Sequence, residues 1–394
     1  MPKNAPPSLP EPDENSRAHS ERVAAFIRKQ IEASGGRISF AEFMHHALYA
    51  PGFGYYTAGT TKFGEAGDFV TAPEVSPVFG AVVARQCAEV LESLPGGAIL
   101  EIGAGSGKLA ADLLEALQTI DALPEAYRIL EVSADLRERQ QACLEERIPH
   151  LVGRVEWLSG LPEAHSGVIV ANEVLDALPV ERFIRRSDGV MRQCVTAVDD
   201  GFSWDEEPAG ERLVRAVAII EAERGETLPD GFASEVSLAA ANWVADLAAA
   251  LTDGMVLLFD YGVARREYYA AERADGWLRC HFRHHAHSDP LILAGIQDIT
   301  AWVDFTAVAE AATAAGLDIA GYSAQAQFLI SGGLDAAMAG FESLPLERQL
   351  ELSQQVKTLT LPGEMGENFK CMALRRGDIA VPSAFALADR THTL

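Results

Sequence analysis

Residues 99–114 read ILEIGAGSGKLAADLL. An apolar run ends in an acid, Glu101, glycines follow at 103, 105 and 107, and a helical pattern begins. Glycine carries no Cβ, so such a loop can turn tightly and let the backbone approach a ligand. The plainest reading is a tight strand-to-helix turn; three ligand-binding readings compete with it. A triphosphate loop needs Gly, four residues and Gly-Lys-Ser/Thr. Here Leu109 follows Gly107-Lys108 and Ile102 stands five before Gly107, so that pattern fails twice. A nicotinamide loop needs G-x-G-x-x-G, and the third glycine comes one residue early. S-adenosylmethionine has no pyrophosphate to cradle. Glu101 suits its sulfonium cation, and Glu131, ending the next apolar run in LEVSADLRERQ, suits ribose hydroxyls. The cofactor-binding set read here is Glu101, Gly103, Ala104, Gly105, Gly107 and Glu131.

A later apolar run ends in VIVANEVLDALP (168–179), which brings Asn172, Glu173 and Asp176 to a strand's carboxyl end. Asn172 joins the cofactor set. Glu173 and Asp176 are three apart and would share a face if the segment turned helically. Such carboxylates can orient a nitrogen nucleophile and accept its proton, so both are the catalytic candidates. GDFVTAPEVSPVFG (67–80) reads as a loop folding over the cofactor, with Phe69, Thr71 and Glu74 in contact, and GYYT (54–57) belongs to the same wall. Ser76 and Pro77 mark the start of a helix. Asp260, in FDYG, reads as a residue that holds a loop through backbone hydrogen bonds. His281, His284, His285 and His287 match no fixed zinc spacing, and no metal is expected.

These residues need strands that end at one edge. Runs at 98–102, 127–132, 153–157, 167–171 and 255–260 read as strands, with helices at 108–118 and 134–146 whose leucines at helical spacing read as core packing alone. Strands at 317–323 and 368–376 and helices at 303–315 and about 333–357 follow. Strand–helix alternation predicts an α/β fold with a mostly parallel sheet and ligands outside its carboxyl edge. The expected division is a flexible tail (1–20), an N-terminal helical segment (21–62), a first part of the core (63–180), an insertion or substrate region (181–250) and the rest of the core (251–394). Residues 263–300 read as irregular.

Composition narrows the partners. The 394 residues carry 57 acids against 32 Lys+Arg, a net charge of −25. Phosphate backbones are bound by basic surface, so no nucleic acid is expected, nor membrane insertion, since no apolar run spans a bilayer. The five cysteines are scattered and lack a C-x-x-C, which fits a reducing compartment. The first twenty residues lack an apolar signal region and carry Glu11, Asp13 and Glu14, so a bacterial-type cytoplasmic location is expected. Oligomeric state, a dimer included, is left open.

Taken together, YAPGFGYYT (49–57), GDFVTAPEVSPVFG, LEIGAGSGKLAADLL, LEVSADLRERQ, NEVLDALPVERF (172–183), FDYG (259–262), DITAWVDF (298–305) and GENFKCMAL (366–374) resemble the MidA-type family of S-adenosylmethionine-dependent methyltransferases. The resemblance runs from about residue 40 to 376; the loop carries Ala104 where proline is common in the family. It implies a class I methyltransferase core, Rossmann-like with a seven-stranded sheet and a family-specific insertion. It also implies S-adenosylmethionine as cofactor, S-adenosylhomocysteine as product, and methyl transfer to an arginine of a protein, by analogy a respiratory-complex subunit. The alternatives are a small-molecule O- or N-methyltransferase, and an assembly or binding protein that retains the cofactor site.

Overall fold

The computed structural model describes residues 9–58 and 71–394. Its contacts divide the described chain into two units. One gathers 71–175, Ala241–Ala264 and Val303–Leu394. The other gathers the N-terminal stretch, Asp176–Ala240 and Arg265–Trp302.

The first unit is built on seven strands: β1 (Ala98–Ile102), β2 (Tyr127–Leu130), β3 (Val155–Leu158), β4 (His165–Asn172), β5 (Leu251–Val263), β6 (Asp318–Ala324) and β7 (Phe369–Arg376). Their order in the sheet is β6-β7-β5-β4-β1-β2-β3. The five strands from β3 to β5 run parallel, whereas β7 is antiparallel to both its neighbours. A two-residue strand, Val303–Asp304, pairs with the end of β5. This is the mostly parallel sheet that the strand–helix alternation predicts, with the seven strands that the family resemblance implies. Parallel strands need crossover connections, and helices Lys108–Thr119 and Ala134–Arg147 supply two of them.

Burial explains why these runs are nearly continuous in apolar residues. All five residues of β1 are buried, as are Val168–Ala171 in β4 and Met255–Phe259 in β5. Helix Pro77–Leu91 packs closely on helix Lys108–Thr119 because it has Gly80 at the contact: a Cβ there would stand 2.4 Å from the Asp112 Cβ. Ser76 and Pro77 open that helix as expected, the Ser76 hydroxyl accepting from the Val78 N–H at 3.3 Å.

The second unit contains a five-stranded antiparallel sheet. Gly189–Val198 pairs with Glu181–Arg186, Gly201–Pro208 and the short Ile38–Ser39; Ala233–Val236 pairs with Glu181–Arg186. Its core joins Val23, Ile27, Phe40, Phe43 and Leu48 of the N-terminal helices to Val195, Leu278 and Ile299. The N-terminal segment and the insertion, separate in the sequence reading, are therefore one packed body.

Two expectations need correction. The tail of 1–20 is helical from residue 14: helix Glu14–Ala33 starts where the Asp13 carboxylate accepts from the Ser16 N–H at 3.0 Å. A cap residue inside an acid- and proline-rich run resembles a solvated tail until its partner is seen. Residues 263–300 are not irregular core. They hold a three-stranded sheet of Leu278–Phe282, His285–His287 and Asp298–Ala301, and Arg265–Trp302 belongs to the second unit. The hairpin turns through Arg283 and His284 at φ 48° and 62°. Tight hairpin turns demand such angles and usually take Asn or Gly, so this one left no turn signal.

Candidate active site

The glycine loop leaves β1 at the carboxyl edge of the sheet. Gly103, Gly105 and Gly107 all have left-handed backbone, with φ of 69°, 53° and 85°. An L-residue is strained there, which explains the spacing directly. A Cβ on Gly107 would also stand 3.0 Å from the Gln140 Cα. The Ala104 side chain is buried in the core, so only its peptide is offered to a ligand.

Glu101 is 2% exposed, and its carboxylate accepts a hydrogen bond from the Tyr127 hydroxyl at 2.6 Å. Burial pushes its carboxyl up to about 7; the Tyr127 bond opposes this, and the acids Asp112 and Glu131 add to it.

Glu131 ends β2 and is 7% exposed. One carboxylate oxygen accepts from the Ser133 N–H at 2.8 Å, the other from the Gln140 side-chain amide at 3.1 Å. The Gln140 amide also donates to the Gly105 carbonyl at 3.2 Å, and its oxygen accepts from the Trp157 indole at 3.0 Å. Gln140 therefore ties the glycine loop, the acid of β2 and the indole of β3 together. Helix Ala134–Arg147 does more than pack, contrary to the sequence reading. Helical periodicity cannot distinguish a buried glutamine from a surface one.

Glu74 lies against the same loop. Its carboxylate accepts from the Ser106 hydroxyl and pairs with the Lys108 ammonium at 3.4 Å. Thr71 stands at the N-cap of Ala72–Val75 with no side-chain cap bond. Phe69 lies outside the described residues.

At the end of β4 the Asn172 amide donates to the Glu173 carboxylate at 3.0 Å. Glu173 has φ 52°, a rare angle for a residue with a side chain. Residues 173–179 form bends and turns, so the shared helical face expected for Glu173 and Asp176 does not exist. The left-handed residue breaks the helical path at its first step. Asp260 matches its sequence reading: its two oxygens accept from the Leu175 and Tyr261 N–H groups, each at 2.9 Å, and so brace the segment after β4 against the end of β5.

In the second unit, Asp176 and Asp298 are 4% and 2% exposed. Tyr49 and Tyr56 stack with ring centroids 5.5 Å apart, and the Tyr56 hydroxyl donates to the Asp298 carboxylate at 2.9 Å. Both tyrosines lie in motifs quoted above, but their partner was not legible: GYYT was read as part of the cofactor wall. His281 and His287 are on facing strands of the hairpin, and no group of three His, Cys, Asp or Glu among the described residues is arranged to hold a metal.

The profile of a family of S-adenosyl-L-methionine-dependent methyltransferases matches residues 82–323. The chain belongs to this family, of the MidA type. A protein from Burkholderia thailandensis, whose crystal structure holds S-adenosyl-homocysteine, is 40% identical and superposes on this methyltransferase with a TM-score of 0.93, covering 98% of this chain and 100% of its own. The protein arginine methyltransferase NDUFAF7 homolog, mitochondrial, of Drosophila melanogaster is 29% identical over 412 residues, 96% of this chain and 91% of its own. The mouse protein arginine methyltransferase NDUFAF7, mitochondrial, is 29% identical over 398 residues, 91% of this chain and 86% of its own. The cofactor of this MidA-type methyltransferase is S-adenosylmethionine. The loop fits it: three left-handed glycines leave bare peptide beside a buried acid on each of two strand ends. Among the described residues no helix is long and apolar enough to cross a membrane.

Proposed function

We propose that this enzyme methylates an arginine side chain of a protein. The observation that carries the reading is the pair of acids that follow β4 along the chain: Glu173 directly after it, and Asp176, buried, three residues on. The names of the curated relatives support the arginine assignment. A respiratory-complex subunit as target rests on the MidA resemblance.

The bound cofactor supplies an electrophilic methyl group on a sulfonium and leaves as a neutral thioether. The protein has to bind, orient and manage a proton. Gly103, Ala104, Gly105 and Gly107 offer peptide groups to the cofactor, Glu131 its carboxylate to the ribose, and Glu101 its charge to the sulfonium side. Asn172, Thr71, Glu74 and Phe69 complete that set. Glu173 and Asp176 grip the guanidinium, which is protonated below about pH 12 and is a poor nucleophile until a proton is withdrawn. A carboxylate hydrogen-bonded to an N–H takes that proton as the N–C bond forms and the S–C bond breaks.

The test combines calorimetric titration with S-adenosylhomocysteine and transfer of labelled methyl from S-adenosylmethionine to proteins of an expression-host lysate. Label recovered as methylarginine is the expected result. Saturable binding with label on small molecules alone would replace the arginine reading with a small-molecule methyltransferase. Binding without any transfer would favour the assembly-protein alternative.

A further inference from the structure

Three sequence motifs without a joint role meet around Asp176: YAPGFGYYT, DITAWVDF and NEVLDALP. Helix Phe40–Tyr49 opens with a capping box, in which Ser39 and Glu42 satisfy each other's N–H groups. Its buried residues Phe40, Phe43, Met44, Ala47 and Leu48 fix its rotation, and Tyr49 is its last residue. The chain then doubles back. The Tyr55 N–H donates to the Ala47 carbonyl and the Tyr56 N–H to the Leu48 carbonyl, each at 2.9 Å. Gly54 makes the return feasible, since a Cβ there would lie 2.4 Å from the Leu48 carbonyl carbon. The return lays the Tyr56 ring on Tyr49.

The two hydroxyls point to different partners. Tyr49 donates to the carbonyl of Ala177 at 2.9 Å. Tyr56 donates to the carboxylate of Asp298, the first residue of strand Asp298–Ala301. The last residue of that strand, Ala301, donates its N–H to the carbonyl of Asp176 at 3.0 Å. The contacts close a ring: Asp176, Ala177, Tyr49, Tyr56, Asp298, Ala301 and back to Asp176. Two consecutive carbonyls, of residues 176 and 177, are thus held from two sides. The peptide between them cannot rotate without breaking a hydrogen bond, so the direction in which Asp176 leaves the backbone is set.

We infer that Tyr49 is a positioning residue for methyl transfer, acting through Asp176, and that Tyr56 and Asp298 hold Tyr49 in place. The inference rests on the catalytic reading of Asp176 given above. Burial, and after it the carboxylates of Asp298 and Asp176, raise the pKa of both hydroxyls. They remain donors at any working pH. Misplacing a catalytic group by about 1 Å can cost about a hundredfold in rate, so one clamp bond is enough to register.

The experiment is a double-mutant cycle of Tyr49→Phe and Asp176→Asn, which keeps the ring stack and removes only a hydroxyl or a charge. The readouts are the initial rate of labelled-methyl transfer to the same lysate proteins, titration with S-adenosylhomocysteine, and hydrogen exchange of amides 175–178. The expected result is a roughly tenfold slower rate in Tyr49→Phe with unchanged cofactor affinity and faster exchange confined to 175–178. The double variant is then no slower than Asp176→Asn alone, and Tyr56→Phe shows a smaller loss in the same direction. Losses that multiply in the double variant would overturn the inference, as would a full rate in Tyr49→Phe beside a slow Asp176→Asn. A full rate in Asp176→Asn, or no label from the wild type, would instead remove the reading of Asp176 on which the inference stands.

Discussion

The side-chain amide of Gln140 donates to the Glu131 carboxylate at 3.1 Å and to the Gly105 carbonyl at 3.2 Å. One buried amide therefore holds the acid of β2 and the glycine loop of β1 in a common frame. Gln140→Leu keeps the approximate volume and strands both acceptors. A buried polar group left without its partner costs about 1–3 kcal/mol. The expected result is S-adenosylhomocysteine binding weaker by about five- to a hundredfold in calorimetry; affinity equal to wild type would show that the frame is not needed.

Glu101 makes stability depend on pH. Its folded value of about 7 lies above the ordinary 4.5, so the folded protein holds the proton more tightly than the unfolded chain. The contribution is fully present below about pH 4.5 and is lost as pH rises through 7. Glu101→Gln removes that titration. Chemical denaturation between pH 5 and 8 should show the wild type losing on the order of 3 kcal/mol relative to the variant. Parallel pH profiles would argue against a buried titrating acid at this position.

Gly107 has two reasons to be glycine, its φ of 85° and the Gln140 Cα that a Cβ would meet at 3.0 Å. Gly103 has the same kind of φ, but its Cβ would meet only the Val174 side chain, at 3.2 Å, and no backbone atom. The left-handed conformation costs an L-residue about 1–2 kcal/mol. Gly107→Ala should therefore lower the melting temperature more than Gly103→Ala, because helix Ala134–Arg147 must also move. Equal losses in a thermal scan would mean that only the backbone angle matters.

Glu173→Gln and Asp176→Asn separate acid chemistry from cofactor binding. A general base supplies about a hundred- to ten-thousandfold in rate. At least one variant should lose transfer to that degree while titrating normally with S-adenosylhomocysteine. Undiminished rates in both would dismiss the carboxylates from catalysis.

Much of the sheet was legible in the sequence because parallel strands buried on both faces are written as apolar runs, as in ILEI and GVIVA. The glycine loop, Glu101 and Glu131 were legible because their positions follow from chain direction alone. Gln140 was not: its importance comes from which helix face meets the loop, and no spacing rule records that. The second unit was least legible. Its strand Ile38–Ser39 pairs with Val195 and Cys194, more than 150 residues away, and its hairpin at Arg283-His284 uses none of the usual turn residues. Such features are set by packing, which local patterns do not carry.

The position of β7 bears on how the chain is made. It lies between β5 and β6 in the sheet but follows both in the chain, ending at Arg376. A nascent chain emerging from the ribosome can pair β1 to β5 in order, but β6 has no strand to join until residues 369–376 appear. The sheet therefore reaches its far edge only once Phe369–Arg376 has been made, and a stop a few codons before Phe369 would leave β6 without a strand to pair with.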